Sequence, residues 1–206
     1  METQLASFKR VLCLAPHTDD EMGCAGTLAR LKRSGATIKY VCFSACEESL
    51  PNHPPDTLRH ECAEMMRRLG IDGEIGTLRV RCFPEVRQQI LESLVAMREW
   101  PDLVLTPCSD DAHQDHRTVY EESVRAFRCT ILGYELPQNL RTYHNAAWIR
   151  LEPRDMERKI EALAAYASQS DRPYAGEDFI RSLARVRGLQ AGCEYAESYE
   201  VIRWIA

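Results

Sequence analysis

The 206-residue chain has no run of about 18 apolar residues, the length a helix needs to cross a bilayer. Its opening, METQLASFKR, lacks the apolar middle of a secretory signal, so a soluble, cytoplasmic protein with no membrane span is expected. Cations are not in excess either. With 31 acidic against 26 basic residues the formal net charge is −5, which leaves no broad positive field to hold a phosphate backbone and argues against nucleic acid as a partner. Nine cysteines are present but no C-x-x-C pair, which argues against a cysteine zinc knuckle. The odd count, and the placing of Cys13, Cys42, Cys82 and Cys108 in or beside apolar runs, suit buried thiols better than a disulfide framework. Internal repeats, low-complexity tracts and linkers are absent, and Pro and Gly are spread along the chain. One domain over 1–206 is expected.

What is present alternates. RVLCLA (10–15) and TIKYVCFSA (37–45) are apolar or β-branched runs, and between them Met22, Ala25, Leu28 and Ala29 recur at helical spacing before Ser34-Gly35. Leu58, Cys62, Met65 and Leu69 mark a second helix ending at Gly70, and TLRVRCF (77–83) reads as a short strand. Val86, Ile90, Leu94 and Met97 then predict a helix ahead of the buried strand PDLVLTPC (101–108). Further strands are expected in ILGYE, AAWIRLE and ESYEVIRWI, and helices in MERKIEALAAYASQ and EDFIRSLARVRGLQAG. The pattern implies an α/β fold whose mostly parallel sheet is covered on both faces. In such folds ligands sit beyond the carboxyl ends of strands.

Two of those strand ends carry ionisable clusters. The first strand runs into His17, Asp19, Asp20 and Glu21; the strand ending at Cys108 runs into SDDAHQDH, ahead of a helix predicted over 113–128. In that helix His113 and His116, three apart, share a face. A catalytic divalent ion needs about three protein ligands and an open position, and neutral imidazole with carboxylate supplies that set. His17, Asp20 and His116 fit it. The neighbouring Asp19 then points elsewhere and faces bound water. Taken alone, HTDDE also suits a solvated helix start, since acidic residues favour the first turn. A metal site becomes the better reading because the two clusters fall at two strand ends that can meet.

APHTDDE (15–21) and HQDH (113–116) together resemble the signature of the LmbE/PIG-L family of zinc-dependent N-deacetylases, written A-H-P-D-D-E and H-x-D-H. TLRHECAEMMRRLG resembles that family's Arg-x-x-Glu helix, KIEALAAYASQ a later helix, and RVRGLQAGCEYAESYEVIR its C-terminal segment. One position departs: Thr18 stands where the family has proline, with Pro16 ahead of the histidine, which alters the stiffness of the loop between ligands. The resemblance implies a Rossmann-like three-layer α/β/α fold. It also implies a hydrolase that removes the N-acetyl group from a 2-acetamido sugar conjugate, an N-acetylglucosaminyl deacetylase-like activity. By the same resemblance one Zn2+ per chain is held by His17, Asp20 and His116, Asp19 is the general base, and protonated His113 is the electrophile or acid. Fe2+ or another divalent ion is the alternative cofactor, and a homotrimer or hexamer is the family expectation.

Asp115, between the histidines, is a candidate to orient His113, with Asp111 as the alternative. Arg59 is the candidate contact to sugar or phosphate oxygens that the resemblance suggests, and Tyr195 a second substrate contact. SACEESLPNHPPDT (44–57) and ELPQNLRTYHN (135–145) are expected as cavity walls. Two other functions stay open at this level: a non-catalytic carbohydrate-binding protein of the same fold, and a ferrous-iron oxygenase using the same His/Asp/His set. A dinucleotide-dependent oxidoreductase is excluded, because acidic residues occupy the turn where pyrophosphate would sit.

Overall fold

Val11, Cys13 and Ala15 of β1 (Arg10–His17) turn to one face of a sheet and Leu12 and Leu14 to the other, and all five are fully buried. Only a strand covered on both sides accounts for that burial. The computed structural model describes residues 5–205. After β1 come α1 (Ala25–Arg33), β2 (Thr37–Ser44), α2 (Thr57–Leu69), β3 (Asp72–Ile75), α3 (Arg87–Ala96), β4 (Leu103–Pro107) and α4 (Gln114–Ala126). β5 (Thr130–Tyr134), β6 (Ala147–Leu151), α5 (Pro153–Leu163), α6 (Glu177–Ala191) and β7 (Tyr195–Arg203) complete the order.

The seven strands lie in the order β3-β2-β1-β4-β5-β7-β6. The first five are mutually parallel, while β7 runs antiparallel between β5 and β6. Helices α1, α2 and α5 cover one face and α3 and α4 the other, giving the three-layer α/β/α arrangement. The connections from β1 to β2 and from β4 to β5 run in opposite directions along the sheet. A crevice therefore opens between the carboxyl ends of β1 and β4.

The strand expected over 77–83 is not formed. The third strand is Asp72–Ile75, directly after Gly70 ends α2 in the left-handed region at φ 68°, and Thr77 makes only an isolated bridge to Ser44. Gly73 permits this close approach, since a Cβ there would lie 2.3 Å from the Tyr40 carbonyl oxygen. Alternating apolar residues in TLRVRCF mimic a strand, but Arg81 turns the chain at φ 68°.

Two contacts fix the segment after β1. Glu197 of β7 accepts from the N–H groups of Gly26 (2.9 Å) and Thr27 (2.7 Å), closing the N-terminus of α1, and Lys159 Nζ donates to the same carboxylate at 2.6 Å. Before α1, the 3-10 turn Asp20–Gly23 rests on β5: a Cβ on Gly23 would fall 2.5 Å from the Glu135 carbonyl oxygen and 2.7 Å from the Tyr134 ring. Gly23→Ala is therefore expected to lower stability by about 1–3 kcal/mol, as overpacking does, read by denaturant unfolding.

Candidate metal centre

β1 ends on His17, and the chain reverses within two residues because Asp19 adopts φ 78°, ψ −8°. That left-handed conformation costs about 1–2 kcal/mol for most residues, and Asp is among the few that tolerate it. The reversal brings the Asp20 carboxylate back under the strand end, where Oδ2 accepts from the His17 N–H at 2.7 Å. Across the crevice, α4 starts at Gln114, so His116 sits in its first turn and His113 is the residue that caps it. The capping interaction is made by the ring: the Asp115 N–H donates to His113 Nδ1 at 3.2 Å.

Three donor atoms converge. His17 Nδ1 lies 3.0 Å from His116 Nε2 and 3.5 Å from Asp20 Oδ2, and His116 Nε2 lies 3.3 Å from Asp20 Oδ2. Ligand atoms about 2.0–2.1 Å from a tetrahedral zinc ion are separated by roughly 3.3–3.5 Å; the two edges to Asp20 have that spacing, and the His17–His116 edge, at hydrogen-bond distance, would open by a few tenths of an ångström around one shared cation. His17, His113 and His116 each offer a nitrogen within 4.8 Å of the others, which makes His113 a neighbour of the same point. His17, Asp20 and His116 are buried, whereas Asp19 and His113 are half-buried at the wall of a cavity of about 800 Å³ that all five line.

Each histidine of the triangle is held from behind. His17 Nε2 lies 2.9 Å from Asp115 Oδ2, and His116 Nδ1 lies 2.8 Å from Asp111 Oδ2. Asp115 is itself fixed by the N–H groups of Arg81 (2.5 Å) and Phe83 (3.2 Å). The two aspartates thus orient His17 and His116 in place of the His113 ring anticipated from the sequence. A carboxylate behind an imidazole fixes which nitrogen faces the cation and makes it more basic. Asp115→Asn is expected to weaken zinc affinity about 10–100-fold, measured by competition with a chromophoric chelator.

The electrostatics separate the acids. Burial opposes charge on Asp20, yet the imidazoles of His116 and His17 and the His17 N–H hold it below the usual carboxylate range. For Asp19 burial is the largest influence, and the Asp20 and Glu21 carboxylates add to it. Together they outweigh Arg172 and His17 and push Asp19 well above that range. Glu21 does not reach the cavity: it is fully buried, accepts from the Tyr40 hydroxyl at 2.6 Å, and is raised by burial to about 7. Burial would lower His17, but Asp115 and Asp20 prevail and raise it to about 10. A metal-free ring is then protonated at neutral pH, and a cation must displace that proton. Apparent metal affinity should rise about tenfold per pH unit from pH 6 to 9 and flatten above about 10. Calorimetry in buffers of different ionisation enthalpy reads the released proton.

Arg59 and Tyr195 are not brought to this cavity. The Arg59 guanidinium donates to the carbonyls of Ile75 (2.8 Å) and Gly76 (3.1 Å), tying α2 to the end of β3. Tyr195 is buried at the start of β7 beside Arg185. Other side chains line the cavity instead: Glu48 and Ser49, Arg79 and Arg81, Gln138 and Asn139, and Arg172 and Tyr174. The walls expected from 44–57 and 135–145 are among them. Arg81 and Arg172 had no readable signal, since nothing in RVRC or SDRPY distinguishes a cavity arginine from an exposed one.

A family model described as PIG-L, GlcNAc-PI de-N-acetylase, matches residues 12–127, which carry both clusters. The chain is 28% identical over 167 residues to an uncharacterized deacetylase, YaiS, of Escherichia coli K12, covering 72% of this chain and 81% of that protein. It is 26% identical to the diacetylchitobiose deacetylase of Thermococcus kodakarensis, covering 94% and 83% respectively. Its structure superposes on N,N'-diacetylchitobiose deacetylase from Pyrococcus horikoshii with a TM-score of 0.77 at 25% identity, over 95% of this chain and 84% of that one.

Proposed function

The chain belongs to the PIG-L family, and from that premise we propose that it is a zinc-dependent N-deacetylase that hydrolyses the acetamide of a 2-acetamido sugar conjugate to the free amine and acetate. One observation carries the reading: the triangle of His17 Nδ1, His116 Nε2 and Asp20 Oδ2, with Asp19 and His113 beside it on the same cavity. Two imidazoles and a carboxylate suit zinc and leave a position open. In this role His17, Asp20 and His116 would hold the ion. Bound zinc supplies Lewis acidity and lowers the pKa of water toward about 7.

The remaining steps belong to side chains of the protein. Asp19, raised by burial, accepts the proton of the attacking water at its carboxylate as the C–O bond forms. His113 stabilises the resulting oxyanion. Because Nδ1 already accepts the Asp115 N–H, its own proton sits on Nε2, and burial with the neighbouring His116 and His17 lowers its pKa. The ring therefore acts as a neutral N–H donor, in place of the protonated histidine expected from the sequence. Asp19 then returns its proton to the departing nitrogen as the C–N bond breaks. Incubation of the zinc-loaded protein with N-acetylglucosamine conjugates should release acetate and amine in equal amounts, and chelation should stop it. Sugar binding without acetate release would overturn the reading.

A further inference from the structure

Three non-glycine residues of the described chain have positive φ: Asp19 at 78°, Cys46 at 55° and Arg81 at 68°. All three line the 800 Å³ cavity. Asp19 is explained by the reversal after β1. Arg81 is not explained by packing. Its main chain is committed, with the N–H donating to Asp115 Oδ2 at 2.5 Å and the carbonyl accepting from the Gln114 amide. A glycine would serve those two bonds with no steric penalty. What arginine adds is an exposed guanidinium at the cavity wall.

The other cavity arginines are engaged. Arg79 Nε donates to Glu48 at 3.0 Å, and Arg172 Nη1 donates to the Tyr174 hydroxyl at 2.7 Å, close enough to Asp19 to act on its charge. The Arg81 side chain has no hydrogen-bond or ion-pair partner among the described residues, while its backbone is one carboxylate removed from His17. A permanently charged, planar fork that lines the same cavity as the histidine–aspartate triangle and has no partner of its own suits recognition of a carboxylate or phosphate. Overall charge offers no substitute, since a chain of net −5 does not attract anions at long range.

We propose that Arg81 is a specificity residue that reads an anionic group, carboxylate or phosphate, on the acetamido sugar substrate. This rests on the deacetylase reading above but is tested by binding. The zinc-loaded full chain carrying Asp19→Asn, which suppresses turnover, is titrated calorimetrically with N-acetylglucosamine 1-phosphate, N-acetylmuramic acid and neutral methyl N-acetylglucosaminide. At least one anionic sugar should bind about tenfold or more tightly than the neutral one, and which of the two does so identifies phosphate or carboxylate.

Arg81→Gly should bring that ratio to near one while unfolding at the same temperature or higher, because glycine takes the left-handed backbone without strain. Arg81→Lys should fall between, keeping the charge and losing the fork. Equal affinity for all three sugars with Arg81 in place overturns the proposal, as does a preference that survives Arg81→Gly. Acetate release by the zinc-loaded wild-type protein from the neutral glycoside bears on the deacetylase reading alone, so the two fail separately.

Discussion

Asp19→Asn is expected to retain zinc and to lower the rate of acetate release by about 10²–10⁴, the range for loss of a positioned general base. Asparagine keeps the size of the side chain and tolerates the left-handed backbone at φ 78°, so the turn that presents Asp20 stays in place. It has no oxygen basic enough to take a proton from water. Retained metal with collapsed kcat, measured by metal analysis beside a coupled acetate assay, is the signature. Full activity in this variant would remove Asp19 from the chemistry.

Asp20→Ala should do the opposite and lose the metal first. The substitution removes one corner of the 3.0, 3.3 and 3.5 Å triangle and leaves two imidazole nitrogens, while the His17 N–H loses its acceptor. The loss of affinity should exceed the about 10–100-fold expected when only a supporting carboxylate is changed, and activity should recover partially, if at all, in excess zinc. An Asp20→Ala protein that still bound one ion tightly would place the cation elsewhere among the histidines, with His113 as the obvious replacement donor.

How far such a site can be read from sequence depends on what each signal reports. Runs buried on both faces, such as RVLCLA and LVLTP, are unambiguous once helices separate them. The helix read from Val86 to Met97 forms as Arg87–Ala96. DGEI carries almost no strand propensity and is a strand only because Gly73 lets it press against Tyr40 of β2; the more strand-like TLRVRCF beside it is a cavity wall. At the site, two clusters at adjacent strand ends were enough to bring His17, Asp19, Asp20, His113 and His116 together. Partner choice one layer out was not legible. Whether Asp111 and Asp115 face His113, the other two imidazoles or solvent depends on the path of residues 108–113 and on Arg81 and Phe83, whose backbone N–H groups aim Asp115. Composition says nothing of such aim. For the same reason Arg59, drawn to the end of β3 by two carbonyls, could not be told in advance from a substrate contact.

The carboxylate of Glu197 that closes α1 has a consequence for how the protein is made. It lies on β7, synthesised after the other six strands, which must slot between β5 and β6 before the start of the helix following Asp19 and Asp20 is secured. Donors translated early therefore wait for an acceptor translated some 170 residues later, and such long-range closure is slow. A ribosome-bound fragment stopped before residue 195 should not yet hold zinc firmly, whereas emergence of β7 should let it do so.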